Sequence, residues 1–105
     1  MLSSLAGNEL GIWVDHGEGK FKFNDVSKVN IPMKYSYSSY TMNPNGSPED
    51  AAAVVSADGR HLAMMPHLER AIFPWQCGSY DEVAEHEVTP WFDAFVNSRK
   101  WVEAQ

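Results

Sequence analysis

The segment AAVVSADGRHLAMMPHLER (residues 52–70) contains two short apolar runs joined by a turn sequence. The first run covers residues 52–56, the second covers residues 61–65, and an Asp-Gly pair lies between them. Asp-Gly between two such runs is typical of a β-hairpin, because tight hairpin turns need residues that adopt positive φ. We therefore predict two antiparallel strands here. The second should end at Pro66, because proline cannot donate a ladder hydrogen bond.

Shorter apolar stretches predict additional strands. Residues 10–14 (LGIWV) indicate a buried strand, and the alternation in residues 21–23 (FKF) indicates a half-exposed one. Turn residues 17–19 (GEG) lie between them, so this pair is predicted to form a second hairpin with His16 at the mouth of its turn. Residues 24–32 are expected to connect it to an edge strand that contains Tyr35, Tyr37 and Tyr40.

The remaining stretches predict loops and a C-terminal helix. Two prolines flank Asn-Gly in residues 43–48 (NPNGSP), so regular structure must stop there. One helical turn is predicted at residues 69–73, and a solvated acidic loop at residues 79–88. Thr89 is suited to cap a helix whose first residue is Pro90. The apolar residues of this helix share one face and are expected to pack in the core rather than at an interface. They are Trp91, Phe92, Phe95, Val96 and Val102, with Ser98 on the same face.

Composition limits the size of the fold and its partners. The chain has 105 residues, a formal net charge of −6 and a pI near 5.0, so it fits one small domain and is a poor partner for phosphate backbones or anionic lipid. Its single cysteine excludes an intramolecular disulfide, and no apolar run approaches the ~20 residues of a membrane span. No secretion signal is visible, so we expect a cytoplasmic protein that binds neither nucleic acid nor membrane.

His67 and Glu69 are the strongest candidates for chemistry. They follow the strand predicted at residues 61–65, and α/β enzymes place catalytic groups in the loops at strand ends. Residues i and i+2 of an extended segment project to the same side, roughly 6.6 Å apart. Glu69 could therefore orient the imidazole of His67, as the acid orients the base in a nucleophile–histidine–acid triad. The alternative is a strand-end histidine beside an exposed glutamate that forms a local salt bridge with Arg70.

The residues themselves offer such a base no nucleophile. Cys77 is the only thiol, but it lacks the glycine-flanked turn that presents a nucleophile, so we interpret it as a packed cysteine. A metal site is not expected, because no pair of ligands has Cys-x-x-Cys or His-x-x-x-His spacing. The possible ligands are His16, His61, His67, His86 and Cys77.

Several motifs, in their order and spacing, resemble the C-terminal end of the phosphoribosylformylglycinamidine synthase family in its large single-chain form. They are LGIWVDHGEG (residues 10–19), NPNGSP (43–48), DGRHLAMMPHLER (58–70), FPWQ (73–76), TPW (89–91) and FVNSR (95–99). The resemblance covers nearly the whole chain. It implies an α/β fold, namely the C-terminal fragment of a class I glutamine amidotransferase (flavodoxin-like) domain with mostly short strands and a terminal helix.

The same resemblance implies a function for the parent protein. Residues 1–105 would be the C-terminal portion of a glutaminase domain, without the nucleophile half and the synthetase domains. The parent would be an ATP-dependent C–N ligase of purine biosynthesis that converts formylglycinamide ribonucleotide, glutamine and ATP to the amidine, glutamate, ADP and phosphate. Glutamine and the parent's synthetase domain would be the partners. This fragment would hold no cofactor, while ATP and Mg would bind in the synthetase domain.

Three residues take roles from this resemblance. His67 would be the general base and acid, and Glu69 would orient it. His16 belongs to the His-Gly-Glu-Gly loop, which would lie close to the glutamine pocket, although a turn-stabilising role explains this residue equally well. Leu68 departs from the family pattern, in which proline is usual. We expect the geometry of the pair to survive, because the middle residue points away from its neighbours.

Two functions remain open for the chain as it stands. A base without a thiolate cannot form the thioester, so we expect the isolated residues to be inactive. The alternative is a stand-alone non-catalytic binding module, or a subunit that completes a split glutaminase. A fragment without its core strands should expose apolar side chains, whereas an independent module should be a cooperatively folded monomer. The side chains to examine are Trp13, Val54, Val55 and Met64.

Overall fold

The computed structural model describes residues 1–78 and 85–105. The chain divides into two compact units. One comprises Met1–Trp13 together with His67–Gln105, and the other comprises Val14–Pro66.

The unit Val14–Pro66 is built on an antiparallel sheet. Among the described residues, this sheet consists of β1 (Asn30–Lys34), β2 (Ala51–Val55) and β3 (Leu62–Met64), in the order β1-β2-β3. β2 and β3 are adjacent in sequence and pair antiparallel. Gly59, in the turn between them, has a φ of 72° that suits glycine. The hairpin predicted from the Asp-Gly pair is therefore confirmed, with β3 ending two residues before Pro66.

Strand β1 includes residues that the sequence predicted as part of a connector. Pro32 lies inside this strand, and an internal proline argues against a central strand. β1 lies at the edge of the sheet, where the ladder tolerates a residue without an N–H. Its register against β2 is irregular, which fits an interrupted ladder. The prediction of a connector over residues 24–32 is therefore wrong from residue 30 onward.

Three other predicted strands are not formed. Residues 10–14 and 21–23 are irregular, apart from an isolated antiparallel bridge between Val14 and Pro66. The backbone N–H of Phe21 donates to the Ser47 hydroxyl, 3.3 Å away, rather than to a partner strand. The tyrosine segment, residues 35–40, contains bends and a turn instead of an edge strand. Apolar patterning alone does not supply the paired neighbour that a strand needs.

The predicted loop at residues 43–48 is confirmed and has hydrogen bonds of its own. The side-chain amide of Asn43 donates to the carbonyl of Ser47 at 3.0 Å and accepts the N–H of Ser47 at 2.9 Å. Both residues are buried, so these bonds satisfy polar groups that water does not reach. Two 3₁₀ turns complete this unit, Val26–Lys28 and Pro48–Asp50.

Small residues form the buried part of the sheet. Ala51, Ala52 and Ala53 of β2 are at most 1% exposed, and no large side chain among the described residues is fully buried. The four apolar side chains that a fragment without its core strands is expected to expose differ in burial. Trp13 is exposed, as expected of a fragment, whereas Val54, Val55 and Met64 are half-buried.

The second unit contains short turns and one α-helix among its described residues. Its 3₁₀ turns are Ser3–Leu5, Leu68–Arg70 and Pro74–Gln76, and helix α1 is Phe92–Glu103. The turn at Leu68–Arg70 shares only residues 69 and 70 with the helical turn predicted at residues 69–73, because residues 71–73 form bends. Of the predicted acidic loop, residues 79–84 lie outside the described part of the chain, and Glu85 and Glu87 are exposed.

Helix α1 begins later than predicted. The backbone N–H of Phe92 bonds to the carbonyl of Thr89, so a single turn precedes the helix. The hydroxyl of Thr89 does not cap this turn; it donates to the carbonyl of Ala71. Thr89 is buried, and its own N–H bonds to the carbonyl of Ile72. The capping prediction is therefore wrong: the hydroxyl of Thr89 bonds to the carbonyl of Ala71, and no side chain of the described residues caps the N-terminus of α1.

The apolar face of α1 is only partly buried. Trp91 and Ala94 are buried, and Ser98 and Val96 are half-buried. The remaining large apolar residues are exposed, so the prediction that the whole face packs in the core is wrong. They are Phe92, Phe95, Trp101 and Val102. No described helix is long and apolar enough to cross a membrane.

Candidate active site

His67 and Glu69 form a hydrogen-bonded pair. Nδ1 of His67 lies 2.6 Å from Oε1 of Glu69. His67 has an extended backbone, with φ −107° and ψ 96°, and the 3₁₀ turn Leu68–Arg70 follows at once. The turn, rather than a continuous extended strand, therefore brings the two side chains within hydrogen-bond distance. The predicted pairing of His67 with Glu69 is observed. The prediction that both residues lie in one extended segment is wrong.

Leu68 anchors the turn between the two polar residues. Its side chain is only 2% exposed, whereas those of His67 and Glu69 are 34% and 61% exposed. The N–H of Arg70 bonds to the carbonyl of His67, and that of Ala71 to the carbonyl of Leu68. Burial of the middle side chain thus holds the turn in place while both neighbours stay accessible. Leucine is compatible with the paired geometry, as we expected from the sequence.

The contact fixes the charge of Glu69 and the tautomer of His67. The hydrogen bond from His67 is the main cause that lowers the pKa of Glu69, and the bond to its own backbone N–H lowers it further. An ionised carboxylate only accepts hydrogen bonds, so Nδ1 of His67 carries the proton of this contact. Nε2 is then the nitrogen that can take up and return a proton. This arrangement can perform general acid–base chemistry.

Two neighbours of the pair were not predicted as site residues. The carbonyl of Trp13 accepts the backbone N–H of His67 at 3.0 Å. The side-chain Nε2 of Gln76 donates to the carbonyl of Glu69 at 3.4 Å. Trp13 had been assigned to a buried strand, and Gln76 appeared only within the FPWQ motif. Neither signal pointed to a contact with His67 or Glu69.

His16 belongs to the unit Val14–Pro66 and has partners of its own there. Its Nδ1 lies 2.9 Å from the side-chain nitrogen of Asn45. Its Nε2 is buried and has no hydrogen-bond partner among the described residues. The side chain of His16 therefore links its loop to Asn45.

Cys77 has the surroundings of a packed thiol. It is half-buried, and its Sγ approaches the carbonyl oxygens of Phe73 at 3.8 Å and Ala71 at 4.0 Å. Its backbone is extended after the Pro74–Gln76 turn, with φ −85° and ψ 147°. The described residues contain no group of three His, Cys, Asp or Glu side chains that could hold a metal ion.

Comparisons with known proteins agree with the resemblance stated above. A family model described as the CobB/CobQ-like glutamine amidotransferase domain matches residues 1–102. The probable phosphoribosylformylglycinamidine synthase, chloroplastic/mitochondrial, of Arabidopsis thaliana is 40% identical over 99% of this chain. Phosphoribosylformylglycinamidine synthase of Homo sapiens is 36% identical over 96%, and the probable synthase of Caenorhabditis elegans is 33% identical over 96%.

The chain spans only a small part of these relatives. It covers 8% of the Arabidopsis protein, 9% of the human protein and 10% of the nematode protein. No solved structure matches the chain significantly. The resemblance to phosphoribosylformylglycinamidine synthases is confirmed over nearly the whole chain. By the match over residues 1–102, this chain belongs to the family of CobB/CobQ-like glutamine amidotransferase domains.

Proposed function

We propose that this chain carries the acid–base half of the glutaminase site of a phosphoribosylformylglycinamidine synthase. The observation that carries the proposal is the 2.6 Å contact between Nδ1 of His67 and Oε1 of Glu69. In a chain of the glutamine amidotransferase family, a histidine oriented by a carboxylate matches the second and third members of a nucleophile–histidine–acid triad. His67 is the general base and acid, and Glu69 is its orienter.

The chemistry of the pair follows from its protonation. Nε2 of His67 removes the proton of a cysteine thiol, and the thiolate adds to the side-chain amide carbon of glutamine. The imidazolium then returns the proton to the leaving nitrogen, which departs as ammonia. Water, deprotonated by the same nitrogen, attacks the thioester and releases glutamate. Glu69 stabilises the imidazolium that forms twice in this cycle.

The nucleophilic cysteine lies outside these 105 residues in our proposal. The approach of the Cys77 sulfur to two backbone carbonyls supports a packed role rather than nucleophilic chemistry. We therefore expect the isolated chain to be inactive toward glutamine. Glutamine turnover by the purified 105-residue chain that disappears in His67→Ala would contradict this expectation.

The remaining parts of the reaction belong to the parent protein. The names of the relatives support a synthase of phosphoribosylformylglycinamidine as the parent. We propose that this parent is a ligase, which uses ATP and glutamine-derived ammonia to convert formylglycinamide ribonucleotide to the amidine, with glutamate, ADP and phosphate as the other products. ATP and Mg²⁺ would bind in its synthetase domain, which is the partner of this chain. We propose a cytoplasmic location, although the name of the Arabidopsis relative refers to chloroplasts and mitochondria.

We assign His16 a supporting role near the glutamine pocket. Its buried Nε2, which lacks a partner among the described residues, supports this role because such a donor needs an acceptor oxygen. Its contact with Asn45 supports the simpler role of stabilising the loop. Replacement of His16 by Gln in the full-length protein tests the two roles. A raised KM for glutamine supports the first, and unchanged kinetics with lowered stability support the second.

The decisive experiment separates the glutaminase reaction from the synthetase reaction. In the full-length protein, His67→Ala and Glu69→Gln should lower glutamine-dependent turnover, by roughly 10²- to 10⁴-fold for His67→Ala, because general acid–base catalysis is lost. Turnover with ammonia as the nitrogen source should remain. His61→Ala is the control, since His61 is exposed in the hairpin turn. Unchanged glutamine-dependent turnover in His67→Ala would refute the proposed role.

A non-catalytic module is the second candidate function. The half-buried state of Val54, Val55 and Met64 favours it, because a fragment without its core strands is expected to expose these side chains. Sedimentation and thermal unfolding of the 105-residue chain distinguish the candidates. A monomer with one cooperative transition supports an independent module, whereas concentration-dependent association supports a fragment whose apolar surface is normally covered.

A further inference from the structure

Four hydrogen bonds connect the residues His67, Glu69, Trp13 and Gln76 with one another. The N–H of His67 donates to the carbonyl of Trp13 at 3.0 Å, and the indole N–H of Trp13 donates to the carbonyl of Gln76. The Gln76 side chain donates to the carbonyl of Glu69 at 3.4 Å, and Glu69 accepts from His67 at 2.6 Å. The four bonds form a closed path, which we call the Trp13–Gln76 clamp.

Two further hydrogen bonds with Phe73 hold Gln76 in place. Oε1 of Gln76 accepts the backbone N–H of Phe73 at 2.9 Å, and this bond fixes which end of the amide faces Glu69. The backbone N–H of Gln76 also bonds to the carbonyl of Phe73, which closes the Pro74–Gln76 turn. Gln76 therefore joins the turn that follows the pair to the turn that contains Glu69.

The clamp matters because the pair is accessible to water. His67 and Glu69 are 34% and 61% exposed, so water can compete for their hydrogen bond. An exposed pair keeps one geometry only when the backbone that carries it is fixed. The clamp fixes the backbone on both sides of the pair, at the N–H of His67 and at the carbonyl of Glu69. A misplacement of about 1 Å in a catalytic group can cost roughly 10²-fold in rate.

We propose that Trp13 and Gln76 are positioning residues, which hold His67 and Glu69 at hydrogen-bond distance without themselves contacting the substrate. Trp13 sets the backbone of His67 through its carbonyl and reaches Gln76 through its indole. Gln76 sets the backbone of Glu69 through its side-chain amide. The catalytic part of this inference rests on the proposed function, whereas the structural part can be tested without any activity.

The test is a carbon-13 NMR titration of the Glu69 carboxyl group in the 105-residue chain. The groups that lower the pKa of Glu69 include its hydrogen bond with His67 and the positive charge of Arg70. In Trp13→Phe, which lacks the indole N–H, and in Gln76→Met, which lacks the amide, the pair should loosen. The pKa of Glu69 should then rise toward the ordinary value of 4.5. Both variants keep the charge of the surroundings unchanged.

Trp75→Phe is the matched control. Trp75 is 70% exposed and stacks on Phe73 with ring centroids 6.1 Å apart, and phenylalanine keeps an aromatic ring there. This control should leave the titration of Glu69 as in the wild type. If the Glu69 carboxyl group of Trp13→Phe and of Gln76→Met titrates as in the wild type, the proposal is overturned. Loss of folding in both variants would also overturn it, because the two residues would then serve stability alone.

Kinetics of the full-length protein separate this inference from the proposed function. Trp13→Phe and Gln76→Met should lower kcat for glutamine hydrolysis at least tenfold, since a catalytic group misplaced by about 1 Å can cost roughly 10²-fold in rate. KM for glutamine should change by less than about twofold. A shifted Glu69 titration with glutamine turnover that does not depend on His67 would support the clamp and refute the catalytic role of the pair. An unshifted Glu69 titration together with glutamine turnover that depends on His67 would refute the clamp and support the catalytic role of the pair.

Discussion

The side-chain nitrogen of Asn45 lies 2.9 Å from Nδ1 of His16 and donates at the same distance to the carbonyl of Gly19. An amide NH₂ group only donates, so Nδ1 of His16 accepts and Nε2 carries the ring proton. Asn45 thus selects one tautomer of a histidine whose other nitrogen is buried. The loop of His16 and the loop of Asn45 are locked together through this amide.

Gly19→Ala should disturb this arrangement. A Cβ at position 19 would lie 3.0 Å from Cγ and from Nδ1 of His16, so the ring that is hydrogen-bonded to Asn45 must shift. We expect a loss of about 1–3 kcal/mol in the free energy of unfolding, as for overpacking elsewhere. Gly17→Ala, whose Cβ would meet nothing, should stay within about 0.5 kcal/mol of the wild type. Equal urea midpoints for the two variants would contradict the close contact.

Glu69→Gln should remove a pH-dependent contribution to stability. The pKa of Glu69 is lowered in the folded chain, so its pairing stabilises the fold above the ordinary pKa of 4.5. The contribution is lost as the pH falls through the lower pKa of the folded state. Since the pair is exposed, the variant should be less stable by under about 1 kcal/mol at neutral pH.

The pH at which this difference disappears tests its origin. The free energies of unfolding of the wild type and of Glu69→Gln should converge in acid. Glu18→Gln, which neutralises an exposed carboxylate of the other unit, is the control for the charge change itself. A stability difference between wild type and Glu69→Gln that persists unchanged below the folded pKa would show that the ionised carboxylate is not its source.

Gly59→Ala should weaken the hairpin between β2 and β3. Gly59 has a φ of 72°, and a Cβ there would meet no other atom. The cost is therefore one of backbone conformation alone, about 1 kcal/mol in the free energy of unfolding. Gly59→Asn should recover part of it, because asparagine tolerates this conformation better than alanine. Thermal unfolding of the wild type and both variants measures these differences in stability. Equal stability of Gly59→Ala and the wild type would contradict the expected loss.

Ala53→Val should show how tightly β2 is packed. Ala53 is fully buried and pairs with Met33 on one side and Met64 on the other, so two added methyl groups cannot turn toward solvent. We expect a loss of about 1–3 kcal/mol. Ala63→Val on β3 is the control, because Ala63 is exposed and valine favours a strand. If Ala53→Val is as stable as Ala63→Val, the centre of the sheet is not close-packed.

The sequence predicted best those features that depend on neighbouring residues. The β2–β3 hairpin follows from its own Asp-Gly turn, and the pairing of His67 with Glu69 needs residues only two positions apart. The family resemblance supplied the roles of the pair, which local patterns could not. Strand β1 was missed because its proline is acceptable only at a sheet edge, and edge position is a property of the whole sheet.

Contacts between distant residues could not be predicted from local patterns. The indole of Trp13 reaches Gln76 across 63 positions, and that of Trp91 reaches the carbonyl of Gly11 at 2.8 Å across 80 positions. An apolar run containing Trp13 predicts burial, but it does not say that the tryptophan will use its N–H to hold a turn. The same reasoning applies to Thr89, where a buried carbonyl took the hydroxyl from the helix end.

The place of Leu68 in its turn is one at which the backbone would also accept proline. Leu68 is the first residue of a 3₁₀ turn, and the first position of a helical turn is the one that accepts proline, because its N–H needs no partner within the turn. Proline also favours an extended conformation for the residue before it, which His67 already has. Leucine holds the turn by filling an apolar space, and proline would hold it by restricting the backbone. Either residue at this position would therefore be compatible with the hydrogen bond between His67 and Glu69.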